Sequence, residues 1–142
     1  MLILAGRSES KIAPVIARIA ESSPDVRVKF VTLDLGSLKS VRKAAAEINE
    51  ITTKIHLLIN NAAIMACPYA KTEDGIESQF GTNHIGHFLL TNLLMDKILA
   101  AGAGARIVNV SSSAIRGTIR YDDYNFQVRP LLPYDCKLRD LT

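Results

Sequence analysis

Four short aliphatic runs alternate with stretches of helical periodicity, and this alternation limits the chain to very few folds. The runs are LILA at 2–5, RVKFVTLDL at 27–35, KIHLLINNA at 54–62 and RIVNV at 106–110. Between them lie KIAPVIARIAES at 11–22, SLKSVRKAAAEINEI at 37–51 and a long segment over 72–105. The first helical stretch places Ile12, Val15, Ile16 and Ile19 on one side, and the second does the same with Leu38, Val41, Ala45 and Ile48. The long segment predicts one helix, or two end to end, from about residue 73 to 100, stopped by Gly102 and Gly104. Ser8 or Ser10 is placed to cap the first helix, and Pro14 is tolerable only in a first turn. Strand–helix–strand order implies right-handed crossovers and a parallel sheet, so the fold class is α/β. The 142 residues fit one domain. Residues 114–142 carry no period and are read as an irregular loop and tail.

In open parallel sheets ligands bind beyond the carboxyl ends of the strands, so the residues just after each run are where chemistry is expected. Arg7 has the planar fork that clamps a phosphate, although taken alone it reads first as a solvated arginine. Asp34 suits an adenine amino group or the cap of the next helix, and Ser37 is a second cap. Asn60 and Asn61 can tie neighbouring strand ends together, with Ala62 and Ala63 leaving room for a flat ligand; an ordinary Asx turn is the plainer reading. Asn83, between Phe80 and Phe88 on an apolar helix, is costly without a partner. His84 and His87 lie on the same helix with no further ligand near in sequence, so they are read as packing or surface histidines and no metal is expected. Ser111, Ser112 and Ser113 end the fourth run, where a hydroxyl can polarise a bound carbonyl or alcohol; no GxSxG elbow surrounds them.

Composition narrows the classes further. A net charge of +3 with scattered Lys and Arg makes no nucleic-acid patch. The apolar stretch HFLLTNLLM is too short and too interrupted to span a bilayer, and MLILAG is too short for a signal peptide. Two cysteines, Cys67 and Cys136, form no CxxC pair, so a reducing, cytoplasmic setting is expected.

The set LAGR, DL, LLINNAAIM, DGIESQFGTNHIGHFLLTNLL and RIVNVSSSA, in this order and spacing, resembles the short-chain dehydrogenase/reductase family. The wording around Asn83 and the loop IRYDDYNF are most similar to the branch with retinol dehydrogenases and WW-domain oxidoreductases, and the resemblance runs from residue 1 to about 135. It implies a Rossmann-like, doubly wound parallel sheet, of which this chain holds the second to fifth strands. It also implies hydride transfer between NADP(H), or NAD(H), and a small carbonyl or alcohol. Carried over by motif, Arg7 sits at the adenosine ribose and favours NADP, and Asp34 and Leu35 border the adenine. Asn60, Asn61 and Ala62 line the cofactor cleft. Asn83 holds the proton-relay water, and Ser112 is the substrate-polarising serine.

The chain departs from the family pattern at several places. NNAA stands for the usual NNAG, and of the TGxxxGxG turn only Gly6 is present. No tyrosine has a lysine four residues on; Tyr134 and Lys137 are three apart. The family's first strand, which lies between its second and fourth, is not in the sequence, so two separate strand pairs are expected. The resemblance therefore implies a partial, inactive oxidoreductase unit. Two further readings stand beside it: a non-catalytic module that pairs through the long helix, with its own kind or with an intact homologue, and a weak NADP-binding protein.

Overall fold

A computed structural model describes residues 1–112 and 120–128. Ser113 and the tail with Tyr134, Cys136 and Lys137 lie outside the described residues. The expected alternation is present. Strand β1 (Leu2–Gly6) leads through helix α1 (Glu9–Ser22) to β2 (Val28–Thr32), and α2 (Leu38–Ile51) leads to β3 (Leu57–Asn60). A segmented helix follows: α3 (Ser78–Phe80), a π turn (Gly81–Ile85), α4 (Gly86–Leu93) and α5 (Met95–Leu99). Strand β4 (Arg106–Asn109) closes the series.

Both strand pairings are parallel. Leu2 lies opposite Val28 and Gly6 opposite Thr32; Leu57 lies opposite Arg106 and Asn60 opposite Asn109. The result is two two-stranded sheets, β1–β2 and β3–β4, in line with the expectation of two separate strand pairs. Each crossover returns the chain beside the strand it left, so each pair closes on itself. What joins the pairs is helix packing, α2 against α4. The core lies at that contact: Val41, Ala44, Ala45 and Ile48 of α2 meet Val31 of β2 and Leu90 of α4, with Leu33, Leu35, Leu94 and Ile98 around them. Val41, Ala45 and Ile48 are the residues that the helical period predicts.

Three local features depart from expectation. Pro14 lies beyond the first turn of α1, where it removes a helix hydrogen bond. The helix absorbs this at the surface: Pro14 is exposed and no α1 residue is fully buried. Ile12, Ile16 and Ile19 are half-buried, but Val15 is exposed, so the apolar stripe is narrower than its spacing suggests. The cap position belongs to Ser8, whose hydroxyl pairs with that of Ser10 instead of with a helix N–H.

The long helix starts later than residue 73. Residues 72–77 form a turn in which Gly75 takes φ +78° and its N–H reaches the Thr72 carbonyl at 3.0 Å. The acidic residues of this segment cap helices instead of extending one. Asp74 accepts the Leu38 N–H at 2.9 Å, and Glu73 accepts from the Ser37 hydroxyl, both at the start of α2. Glu77, buried to 1% exposure, accepts the N–H groups of Gln79 and Phe80, each at 2.8 Å. Carboxylates are favoured at helix N-termini because the first N–H groups there have no partner within the helix. The end falls as expected: Gly102 and Gly104 adopt φ +77° and +103° after α5.

The stretch 120–128 is built of turns and is hooked onto this same corner by Asn125. The Asn125 amide oxygen accepts the Glu77 N–H at 2.8 Å, its nitrogen donates to the Gly75 carbonyl at 3.2 Å, and its own carbonyl accepts from the Tyr69 hydroxyl at 2.9 Å.

Candidate functional site

The carboxyl end of the first strand pair carries a cavity of about 430 Å³ lined by Arg7, Ser8, Lys11 and Ile12. Arg7 follows β1 directly, and Lys11 lies in the first turn of α1. The corner is tight: a side chain at Gly6 would meet the Ile12 Cδ1 at 2.9 Å. Two cations and a hydroxyl beside a helix N-terminus suit a phosphate group. Lys11 escapes the sequence reading, although its spacing of four from Arg7 across a capping serine was there to be seen. Asp34 and Leu35 are not among the walls of this cavity. Asp34 folds the strand–helix corner: its carboxylate accepts the Gly36 N–H at 2.9 Å and its own N–H donates to the Ser40 hydroxyl at 2.9 Å. Ser37 caps α2, accepting from the Ser40 N–H at 3.2 Å. The Leu35 side chain belongs to the core, 6% exposed.

A second cavity of about 740 Å³ opens at the carboxyl ends of β3 and β4. It brings together Asn60, Asn61, Ala62, Asn83 and Ser112. Ile107, Val110 and Phe88 supply apolar wall, and His84, His87, Thr91 and Asn109 add polar groups. Asn60, 5% exposed, ties the sheet end to the helix. Its amide nitrogen donates to Thr91 Oγ1 at 3.0 Å and to Asn109 Oδ1 at 2.8 Å. His87 stands over it, Nδ1 3.2 Å from Asn60 Oδ1 and Nε2 2.8 Å from the Ala62 carbonyl oxygen. So the histidine read as packing or surface is a connector between α4 and the β3 loop. His84 does pack, its ring stacked with Phe80 at 5.3 Å and with Phe88 at 6.3 Å.

Asn83 is exposed, so burial does not force a partner on it, yet it has one. Its amide oxygen accepts the Ile64 N–H at 2.9 Å and its nitrogen donates to the Ile64 carbonyl at 2.8 Å. The residue sits inside the π turn, where the helical ladder is one residue wider than usual; such turns are frequent at functional sites. Among the described residues no three His, Cys, Asp or Glu side chains gather as metal ligands. Among the described residues no tyrosine or lysine lines this cavity. Tyr124 packs instead against Phe80, ring centroids 5.9 Å apart.

The short chain dehydrogenase family model matches residues 1–123. Human retinol dehydrogenase 13 is 50% identical over 129 residues, 90% of this chain and 39% of that protein. The crystal structure of an uncharacterised protein from Mycobacterium paratuberculosis superposes with a TM-score of 0.67 at 35% identity, over 94% of this chain and 54% of the other. The NADPH-bound carbonyl reductase from chicken fatty liver superposes at TM-score 0.59 and 26% identity, over 79% of this chain and 48% of that one. The chain thus spans about 40% of the length of such curated relatives.

Proposed function

The chain belongs to the short-chain dehydrogenase family, and we propose that it carries the adenosine-side and serine-side residues of an NADP-dependent oxidoreductase acting on a carbonyl or alcohol. The observation that carries this reading is the pair of cavities at the carboxyl ends of the two strand pairs, one cationic and one lined by amides and hydroxyls. The likeness to a retinol dehydrogenase and to an NADPH-bound carbonyl reductase supports it.

The residues present fit part of such a cofactor. Arg7 and Lys11 offer charged donors to a 2′-phosphate, the group that separates NADP from NAD. Asn61 and Ala62 offer a small-residue surface beside the braced Asn60. When bound, the nicotinamide supplies or accepts the hydride. Ser112 would donate its hydroxyl to the substrate oxygen, and Asn83 would hold the β3 loop through Ile64 while a water relays the proton. The 142 residues contain no Tyr-x-x-x-Lys and no glycine-rich turn, so we assign them binding without turnover.

Titration with 2′,5′-ADP, followed by backbone amide shifts, tests the cofactor assignment. Arg7, Ser8 and Lys11 are expected to respond, 5′-AMP to give little, and Arg7→Ala to lose at least tenfold in affinity, since charged hydrogen bonds contribute roughly 1.5–3 kcal/mol. Equal responses to the two nucleotides defeat the NADP preference. Incubation with NADPH and an aldehyde is expected to give no carbonyl reduction; turnover lost in Ser112→Ala would defeat the inactive assignment.

A second reading rests on exposure of the segmented helix: Phe88 is 62% and Leu99 69% exposed. That surface fits pairing with an intact homologue or with a second copy. Co-purification of the chain with such a homologue tests it, and a monomer that binds none rejects it.

A further inference from the structure

The cluster around His87 holds a mismatch of donors and acceptors. Asn60 Nδ2 commits its two hydrogens to Thr91 Oγ1 at 3.0 Å and Asn109 Oδ1 at 2.8 Å. Asn60 Oδ1, an acceptor only, faces His87 Nδ1 at 3.2 Å. The other ring nitrogen faces a second acceptor, the Ala62 carbonyl, at 2.8 Å. A neutral imidazole has one donor nitrogen, so two facing acceptors call for a hydrogen on both.

The same distances suit a neutral ring if two amides turn over. Asn60 Nδ2 then donates to His87 Nδ1, while His87 Nε2–H still donates to the Ala62 carbonyl. Asn60 Oδ1 accepts from the Thr91 hydroxyl and from the reversed Asn109 amide. The two arrangements differ by one proton, exchanged with solvent, and two amide reversals.

We propose that His87 is a proton-sensing positioning residue, whose gain or loss of one ring proton reverses the Asn60 and Asn109 amides together. Asn60 and Asn109 both line the cavity that holds Ser112, so the reversal exchanges donor for acceptor on its wall. His84, in the π turn between Phe80 and Phe88, is the other titratable side chain among the described residues that line this cavity, and none of those is Asp, Glu, Lys or Arg. The inference needs no cofactor and goes beyond the hydride-transfer reading, so each can fail without the other.

Nuclear magnetic resonance on the nitrogen-15-labelled 142-residue chain tests it. The His87 ring nitrogens, told from those of His84 with a His84→Gln variant, are followed through the range where histidines ordinarily titrate. The side-chain amide signals of Asn60 and Asn109 are expected to move with the same midpoint as the His87 ring and to stop responding in His87→Gln. Amides that stay still while the ring titrates overturn the proposal, as does a ring that never changes state. An unchanged amide response in His87→Gln also overturns it. Because a titrating ring shifts nearby amides by its charge alone, the reversal itself is read from the scalar coupling across Asn60 Nδ2–H and His87 Nδ1, expected with the neutral ring and lost on protonation. No coupling in either state overturns the proposal, and this reading stands in the unsubstituted chain should His87→Gln not fold.

Discussion

Asn83 shows how much a single polar residue in an apolar stretch can announce. Its position between Phe80 and Phe88 implies a buried amide in need of a partner, but the residue is exposed, and the partner it has serves the loop it holds. The partner is the backbone of Ile64, nineteen residues back, met by both atoms of one amide. Two hydrogen bonds of ordinary net value put the cost of Asn83→Ala at about 1–2 kcal/mol, read from urea denaturation. Asn83→Asp keeps the acceptor for the Ile64 N–H but sets a carboxylate oxygen against the Ile64 carbonyl, so a loss at least as large is expected; a clearly smaller loss would mean that the bond to the Ile64 carbonyl contributes little. His87 was less legible. Its partners, Asn60 and Ala62, lie 27 and 25 residues away, and nothing local marks a histidine that faces two acceptors. Capping was the easiest to see, because Ser37 acts on Ser40, three residues along the same chain.

Among the elements, the segmented helix shows what periodicity resolves and what it leaves open. The apolar period of the 72–105 segment is real, but it cannot distinguish one helix from α3, a π turn, α4 and α5 in series, since every piece keeps nearly the same face inward. Nor does it show that residues 72–77 stay out of the helix and instead cap α2 and the start of α3. The close approach of α4 to the β2–α2 corner is likewise invisible from the period. It requires Gly86, where an added methyl would run into the Leu35 carbonyl and side chain. Backbone cannot move aside as a flexible side chain can, so Gly86→Ala is expected to destabilise the chain by about 1–3 kcal/mol by overpacking, despite alanine's better helix propensity. Thermal unfolding that shows a gain in stability would mean that α4 can shift away from Leu35.

At the scale of the whole molecule, the two strand pairs leave apolar surface uncovered. Leu57 and Ile59 on β3 are 54% and 55% exposed, and Val108 and Val110 at the β4 end are also open. Exposed, apolar, unpaired strands template association. Light scattering is therefore expected to show association that rises with concentration, and Ile59→Lys to raise its onset without loss of helical circular dichroism. An unchanged onset would place the sticky surface elsewhere. The sequence alone determined the strand–helix order, the parallel pairing, most of the α2 core face and the family, because each is written in short-range period or in local motif. Only the tertiary structure decided that Lys11 joins Arg7, that Leu35 is core, that Asn83 grips Ile64 and that His87 bridges Asn60 to Ala62. Most of these depend on groups brought together across a crossover, and a linear pattern carries the identity of a side chain but not the distance to a partner tens of residues away.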